Sequence, residues 1–157
     1  DMHVKGLISE VMMMTETVRA LLFSAEAQAH EDQYGFYMPL RGPIDTCRNL
    51  FPKMYPRMVE ILQLLGSSSL MATPAEADFE NDLADDVNKY FQLVNSDARD
   101  RVALFRLAHD VCVSGFGNRQ ALYERFFFGP PALMASAYYD LYNKDPLIDR
   151  VQDFLKS

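Results

Sequence analysis

The spacing of apolar residues near the start of the chain predicts a long amphipathic helix. Apolar side chains recur there at steps of three and four residues, which places them on one side of an α-helix. The stripe comprises Val4, Leu7, Ile8, Val11, Met14, Val18, Leu21, Leu22 and Ala25. We expect a helix from Met2 to about His30, roughly 40 Å long at ~1.5 Å per residue.

A second apolar face predicts the partner of this first helix. Ser96 and Asp97 are typical of a helix start, with an acidic side chain at the positive end of the helix. Residues that follow lie broadly along one face, namely Val102, Phe105, Ala108, His109 and Cys112. Because both segments carry continuous apolar stripes, we expect them to pack antiparallel in a bundle.

The stretch "HEDQYGFYMPLRGP", from His30 to Pro43, separates the first helix from the next. It contains too many glycine and proline residues for a helix. We expect an ordered connection that the aromatic side chains of Tyr34, Phe36 and Tyr37 pin to the bundle.

Proline and glycine also mark the helix limits between this connection and Ser96. From Ile44 the pattern is helical, with a break predicted near Pro52, a restart at Pro56 and an end at Gly66. The later stretch "TPAE" predicts a capping box in which Thr73 is the N-cap residue.

Two further helices are predicted at the C-terminal end. One begins at Pro131 and runs to about Asn143, and a last short one begins at Asp145 and ends near Leu155. No segment alternates between apolar and polar residues for long enough to predict a strand. The sequence therefore predicts an all-α helical bundle, with residues 1–157 forming a single domain.

Composition and charge narrow the function classes. The chain has 157 residues, of which 49% are hydrophobic and 24% charged, an ordinary mixture for a globular domain. Its net charge is −7, without a basic patch, so we expect no nucleic-acid partner. Its apolar runs are shorter than the ~18 residues of a membrane span. We expect a cytoplasmic protein with no membrane partner.

The first residues, "DMHVKGLISE", lack the pattern of a signal peptide. The chain begins at Asp1 rather than at a methionine, and the helical pattern starts at once. We expect the chain to be a piece of a longer protein.

Thiol and metal chemistry have little support in the sequence. Cys47 and Cys112 are isolated, which favours two buried free thiols in a cytoplasmic protein, with one disulfide as the alternative. None of the three histidines, His3, His30 and His109, has a glutamate three residues before it, as a di-iron site in a bundle would need. We expect no metal site.

The stretch "VSGFGNRQALYERFFFGPP", from Val113 to Pro131, is the strongest candidate for a binding site. A glycine inside a helix costs about 1 kcal/mol relative to alanine, so the pair Gly115 and Gly117 indicates some close approach. One interpretation is helix packing or a chain turn. The other is a helix that starts at Asn118, whose free N–H groups and the fork of Arg119 would bind an anion such as a phosphate, beside a flat ring.

Two long segments resemble one enzyme family. Residues 114–155, "SGFGNRQALYERFFFGPPALMASAYYDLYNKDPLIDRVQDFL", resemble the C-terminal end of the 4-hydroxyphenylacetate 3-monooxygenase family, and "YPRMVEILQLLGSSSLMATPAEADF", Tyr55 to Phe79, is similar to its middle helical segment. The resemblance covers essentially the whole chain. It implies the helical C-terminal domain of an acyl-CoA-dehydrogenase-like fold, forming part of a flavin site and of a tetramer core.

The family resemblance also implies an activity. These oxygenase components take FADH2 from a separate flavin reductase and use O2 to hydroxylate 4-hydroxyphenylacetate, or a related phenol, ortho to its hydroxyl group. Family members are much longer than this chain, and the residues that grip the phenol belong to the parts that precede this domain. We therefore assign no catalytic residue here and expect these 157 residues to be inactive alone.

The flavin contacts that the resemblance implies fall on the glycine-containing stretch. They are Ser114, Gly115, Phe116, Gly117 and Asn118, with Arg119 and Gln120 as weaker candidates. We expect Gly117→Leu to weaken FADH2 binding through a clash and to harm folding less, since leucine is the better helix former.

A different class of protein fits the same residues. The chain could be a helical oligomerisation or interaction module without a cofactor, with aromatic side chains anchoring its partner. The anchors would be Phe126, Phe127, Phe128, Tyr138, Tyr139 and Tyr142. Both interpretations predict a homo-oligomer, a dimer or a tetramer, because a domain taken from a tetramer keeps its apolar interfaces.

Overall fold

The structure is a computed structural model that describes residues 1–156, a range that contains seven α-helices and one short β-hairpin. The helices are α1 (Met2–Ala27), α2 (Arg41–Gly66), α3 (Ala84–Phe91), α4 (Ala98–Cys112), α5 (Gly115–Phe126), α6 (Pro131–Leu141) and α7 (Asp145–Lys156). The hairpin pairs β1 (His30–Glu31) with β2 (Tyr37–Met38). The predicted all-α fold class is confirmed, and the hairpin is an addition to it.

The first two helices are the longest of those described, with 26 residues each. They run antiparallel, since the end of α1 is tied to the residue before α2 by a hydrogen bond of 2.9 Å from the Leu40 N–H to the Ala25 carbonyl. Farther along the pair, the Arg57 guanidinium donates to both carboxylate oxygens of Glu10, at 2.7 and 2.9 Å. These hydrogen bonds hold the pKa of the Glu10 carboxyl below its usual range.

The partner predicted for the first helix was wrong. Helix α1 packs against α2, whereas the helix that begins after Ser96 packs against α2, α3 and α5. Consecutive elements joined by a short connection usually pack against each other. The hairpin is such a connection between α1 and α2. Helix α2 is therefore the centre of the bundle, in contact with α1, α4, α5 and α6.

Helix α2 also corrects the predicted proline breaks. It is one continuous element, with Pro52 and Pro56 in its interior, and it begins at Arg41 rather than Ile44. Pro43 fits in the first turn because N–H groups there have no partner within the helix. The prolines at 52 and 56 remove hydrogen-bond donors, but packing on four neighbouring helices maintains the helix. Its predicted end at Gly66 is confirmed.

The connection between α1 and α2 is held by turn chemistry rather than by its aromatic side chains. The Asp32 carboxylate accepts hydrogen bonds from the N–H groups of Tyr34 and Phe36, at 2.8 and 2.9 Å. Gly35 has a φ of +83°, which suits this tight turn. Tyr34, Phe36 and Tyr37 are exposed, so the prediction that they pin the connection to the bundle was wrong.

The segment "TPAE" forms a different cap from the predicted one. Its helix is a 3₁₀ turn, Glu76–Phe79, and the Asp78 carboxylate caps it by accepting from the Ala75 N–H at 2.8 Å. The Thr73 hydroxyl instead donates to the Ser69 carbonyl. Arg106 of α4 fixes the same loop by donating to the carbonyls of Thr73 and Pro74.

The later helices follow the sequence prediction closely. Asp97 is the N-cap residue of α4, accepting from the Asp100 N–H at 2.8 Å, and the predicted inner face of α4 includes the buried Val102 and Cys112. The predicted start of α6 at Pro131 and of α7 at Asp145 are confirmed. Both cysteines are free thiols; Cys112 is buried and Cys47 is only partly buried.

The buried core is small for a chain of this length. Its side chains are Leu7, Ala25, Ile61, Leu70, Val87, Ala98, Val102 and Cys112. The accessible surface is 11697 Å² for 18.0 kDa, whereas a compact monomer of that mass would expose about 8,000 Å². The exposed large apolar side chains include Leu147, Val151 and Phe154 of α7.

Candidate functional site

The candidate stretch lies at the turn between α4 and α5, and its hydrogen bonds make this turn rigid. The Gln63 side chain of α2 donates to the carbonyl of Cys112 at 2.6 Å, which ties the end of α4 to the centre of the bundle. The Asn118 amide donates to the carbonyls of Val113 and Ser114, at 2.9 and 3.1 Å. Its Nδ2 group is therefore committed to the turn.

Helix α5 begins at Gly115, three residues before the predicted start at Asn118. The Ser114 hydroxyl explains the earlier start, because it caps the helix by accepting from the Gly117 N–H at 3.0 Å. The Asn118 N–H is bonded to the Ser114 carbonyl. Within residues 1–156, the N–H groups of Gly115 and Phe116 have no such acceptor, so these two donors are available to a ligand.

The two glycines of the turn have different surroundings. A Cβ atom built on Gly117 would lie 2.5 Å from the Asp110 carbonyl oxygen and closer still to that of Val111. A Cβ on Gly115 would meet nothing within 4 Å. Gly117 thus lets α5 approach the backbone of α4, and this geometry argues against the expectation that Gly117→Leu would harm folding less than FADH2 binding.

A cavity of about 470 Å³ lies beside this turn, between α2, α4 and α5. It is lined by Tyr55, Leu107, Asp110, Val111, Ser114, Phe116, Gly117 and Gln120. Phe116 is largely exposed. The walls are mostly apolar, with hydroxyl and amide groups at a few points, a composition typical of small-molecule sites.

The cavity brings together some of the candidate residues and leaves others outside it. Ser114, Phe116, Gly117 and Gln120 line it, and Gly115 lies between two of them. Asn118 and Arg119 are exposed and belong to the outer side of the turn.

Sequence reasoning missed Tyr55, which reaches this cavity from α2. In the described part of the chain its hydroxyl group makes no hydrogen bond, which leaves the group available to a ligand. The only hint in the sequence was its position at the start of the second family-like segment. Nothing in the local pattern places it beside Ser114.

The electrostatics of the cavity favour a neutral ring over a phosphate. Among the described residues that line it, Asp110 alone carries a formal charge, and the charge is negative. A carboxylate opposes a diphosphate at this point, even with free N–H groups nearby. Arg119 does not line the cavity, so the predicted anion fork is not formed here. A flat aromatic ring beside Gly115 remains compatible with the geometry.

Neither a metal centre nor a membrane span was located in residues 1–156. No group of three or more histidine, cysteine, aspartate or glutamate side chains in that range is arranged to hold a metal ion. None of the described helices combines the length and the apolar character needed to cross a bilayer.

Comparison with solved structures gives the fold class first. An archaeal 4-hydroxybutyryl-CoA dehydratase from N. maritimus superimposes on 96% of this chain with a TM-score of 0.81 at 17% identity, and the chain covers 31% of it. At that identity the likeness concerns the fold alone. The chain has the helical bundle of the acyl-CoA dehydrogenase-like fold, as predicted.

The family is shown by closer matches. Residues 2–156 match the model of the family "HpaB: 4-hydroxyphenylacetate 3-hydroxylase C terminal", and the chain belongs to this family. A 4-hydroxyphenylacetate 3-monooxygenase oxygenase component from Thermus thermophilus is 47% identical over 154 residues, 98% of this chain and 32% of the relative. The corresponding protein of Geobacillus sp. is 43% identical over 155 residues, 98% of this chain and 31% of the relative.

A solved structure extends the comparison to ligands. The oxygenase component of 4-hydroxyphenylacetate 3-monooxygenase complexed with FAD and 4-hydroxyphenylacetate aligns with a TM-score of 0.96 at 47% identity. The alignment covers 98% of this chain and 32% of that structure. This chain thus spans about a third of the length of the relatives that it matches, and the family is one of flavin-dependent monooxygenases.

Proposed function

We propose that this chain is the C-terminal domain of the oxygenase component of a two-component aromatic hydroxylase. The longer protein would receive FADH2 from a separate flavin reductase and hydroxylate 4-hydroxyphenylacetate, or a related phenol, ortho to its hydroxyl group. The proposal is supported by the family match over residues 2–156 and by the relative that is complexed with FAD and 4-hydroxyphenylacetate.

The observation that carries a flavin role for this domain is the open side of the α4–α5 turn. Two main-chain N–H groups, at Gly115 and Phe116, are free beside a mostly apolar cavity, and no Cβ at 115 blocks the approach. The carbonyl oxygens and ring nitrogens of a flavin accept such hydrogen bonds. The Tyr55 hydroxyl could add a third donor.

The domain's own part in the reaction follows from these groups. FAD supplies the redox chemistry with O2 when it is bound, and the protein positions its ring. The N–H groups of Gly115 and Phe116 would fix one edge of the ring, while Leu107 and Val111 of the same cavity would exclude water. Acid–base groups for the phenol would come from the rest of the longer protein.

A Gly115→Leu variant of the full-length protein tests the flavin contact. The new side chain meets no protein atom within 4 Å of its Cβ, so the thermal midpoint should change little. FADH2 affinity should fall by about tenfold or more, because the side chain occupies the space of the ring. The measurement is an anaerobic titration of flavin fluorescence.

Gly6→Leu provides a matched control, since a Cβ at Gly6 of α1 also meets nothing within 4 Å. It should leave both the affinity and the midpoint unchanged. If Gly115→Leu binds FADH2 as the wild type does, the turn does not contact the flavin and the domain's flavin role is lost.

A second candidate function, an interaction module without a cofactor, has one observation in its favour. The exposed surface of 11697 Å² exceeds the about 8,000 Å² of a compact monomer, so the chain has more apolar surface than it can cover. Of the predicted anchors, Phe126, Phe127, Tyr139 and Tyr142 are exposed. The Tyr138 hydroxyl forms a hydrogen bond within the protein, 2.9 Å from the hydroxyl of Thr46.

Flavin titration and sedimentation together separate the two functions. The flavin proposal requires FADH2 binding by the full-length protein, and the interaction module predicts none. Both predict a homo-oligomer, so a monomer at high micromolar concentration would count against the oligomer interface in either case.

A further inference from the structure

A second cavity lies at the other end of α5 and is distinct from the site beside the α4–α5 turn. Its volume is about 300 Å³, and it lies between α2, α5 and α6. The lining residues fall into basic, amide and apolar groups: Arg48, Lys53 and Arg125; Asn49; and Pro52, Pro56, Phe128, Gly129, Pro131, Met134 and Ala135. This cationic cavity has no role in the function proposed above.

The charge of the cationic cavity runs against that of the chain. The chain carries 22 acidic and 15 basic residues, a net charge of −7. Yet among the described residues that line this cavity, three are basic and none is acidic. A local concentration of positive charge in an acidic domain creates an attractive potential for a small anion.

Two of the three cations are uncompensated. Arg48 is paired with Asp45 at 3.2 Å and lies over the Phe128 ring, 5.3 Å from its centroid. Lys53 and Arg125 are exposed and form neither an ion pair nor a hydrogen bond with any described residue. An ammonium and a guanidinium with no protein partner are available to bind the anionic group of a ligand.

The prolines of α2 add hydrogen-bond acceptors. Pro52 and Pro56 lack N–H groups, so the carbonyls of Arg48 and Pro52 lose the donor that an unbroken helix would supply. Both of these residues line the cationic cavity. Two main-chain carbonyls among the lining residues thus lack their usual helical donor.

We propose that the cationic cavity binds a small aromatic carboxylate. Lys53 and Arg125 bind the carboxylate, and the ring lies against the apolar wall formed by Phe128, Met134 and the two prolines. The volume of about 300 Å³ suits a compact ligand, since it lies at the lower end of the ~300–1,000 Å³ of known small-molecule sites. Apolar walls on this scale are superfluous for inorganic phosphate, which needs only charge and donors.

Photolabelling of the full-length protein with 4-azidobenzoate tests this site. After irradiation, peptide mapping should place label in the segments 48–56 or 125–135. Phenylacetate should compete with the label, and inorganic phosphate at equal concentration should not. Because the map reports position, labelling here is independent of flavin binding and of any other aromatic site in the protein.

The decisive variant is Lys53→Gln combined with Arg125→Gln. Both side chains lack protein partners, so the fold should persist, and circular dichroism checks this. Labelling of the two segments should fall about tenfold or more, because the variant removes both charged donors that bind the carboxylate. The control is Lys5→Gln with Arg150→Gln, which removes the same charge from exposed positions on α1 and α7.

Three results would overturn the site. One is undiminished labelling of these segments in the Lys53→Gln, Arg125→Gln variant. A second is an equal loss of labelling in the control variant, which would mean that only net charge matters. The third is competition by phosphate as strong as that by phenylacetate, which would exclude a site built for an aromatic ring.

Discussion

The two ends of α5 resemble each other in sequence and differ in chemistry. Each end has a glycine next to a cavity, Gly117 at the start of the helix and Gly129 just beyond its end. The cavity at the start has a single charged lining residue, Asp110, together with hydroxyl and amide groups. The cavity at the end has three cations and no acid among the described residues that line it.

The glycines at these ends serve different physical needs. Gly117 is required because its position faces the carbonyl oxygens of α4, where no Cβ fits. Gly129 is required because its φ is +119°, which strains any residue with a Cβ. Neither reason applies to Gly115, because a Cβ there would meet nothing within 4 Å and its φ is not positive. Because neither packing nor backbone conformation within the protein requires glycine at position 115, Gly115 is the better candidate for contact with a ligand.

The largest expected effect is that of Gly117→Ala on stability. The added Cβ would overlap backbone oxygens of Asp110 and Val111, which cannot move without shifting the end of α4. The free energy of unfolding should fall by about 3 kcal/mol, the upper end of the usual range for overpacking. Urea unfolding measures it.

Gly115→Ala is the paired control for this change. Its Cβ meets nothing within 4 Å, so stability should stay within about 0.5 kcal/mol or rise. Equal destabilisation by the two variants would remove the distinction between a closed and an open glycine in this turn.

The sequence pattern predicted the position of this turn, but it did not show that Gly117 is closely packed and that Gly115 is open. Local signals were sufficient for the start of α4 at its Asp97 cap and of α6 at Pro131, because capping and proline geometry act within a few residues. The surroundings of Gly117 are set by the backbone of α4, and Tyr55 comes from α2. Such contacts arise from the packing of separate helices, which periodicity does not encode.

The same limit explains the errors in the bundle. The apolar stripe of α1 correctly predicted a helix, but an apolar stripe does not specify which helix packs against it. The hairpin places α2 against α1. Pro52 and Pro56 predict breaks from local geometry, whereas tertiary contacts of α2 maintain its helix. The cationic cavity was missed because Lys53 and Arg125 are far apart in sequence and carry no motif.

A smaller effect is expected at the other end of α5 from Gly129→Ala. There is room for the Cβ, since the nearest atom is the Met134 sulfur at 3.6 Å, but the φ of +119° is unfavourable for alanine. We expect a loss of about 2 kcal/mol from backbone strain. Gly42→Ala is the control, with open space and no positive φ. Loss of stability in both variants would point away from φ as the cause.

Removal of the Ser114 cap should have a still smaller effect. Ser114→Ala leaves the Gly117 N–H without its acceptor, and the free energy of unfolding should fall by about 1 kcal/mol. Ser114→Gly should cost only a few tenths of a kcal/mol, because glycine is itself a tolerated N-cap residue. Thermal unfolding of the two variants side by side measures the cap. An unchanged free energy of unfolding in Ser114→Ala would show that the hydroxyl is not what starts α5 at Gly115.

The smallest effect tests whether the cations at the far end of α5 are free. Lys53→Gln and Arg125→Gln each remove a charge that has no protein partner, near the third cation Arg48. Less repulsion should raise the free energy of unfolding, by at most about 0.5 kcal/mol. The gain should shrink in 1 M salt, where the Debye length is ~3 Å. Chemical unfolding at low and high salt measures it. A clear loss of stability in either variant would mean that the side chain already has a partner within the protein. The cations at the end of α5 would then not be available to a ligand.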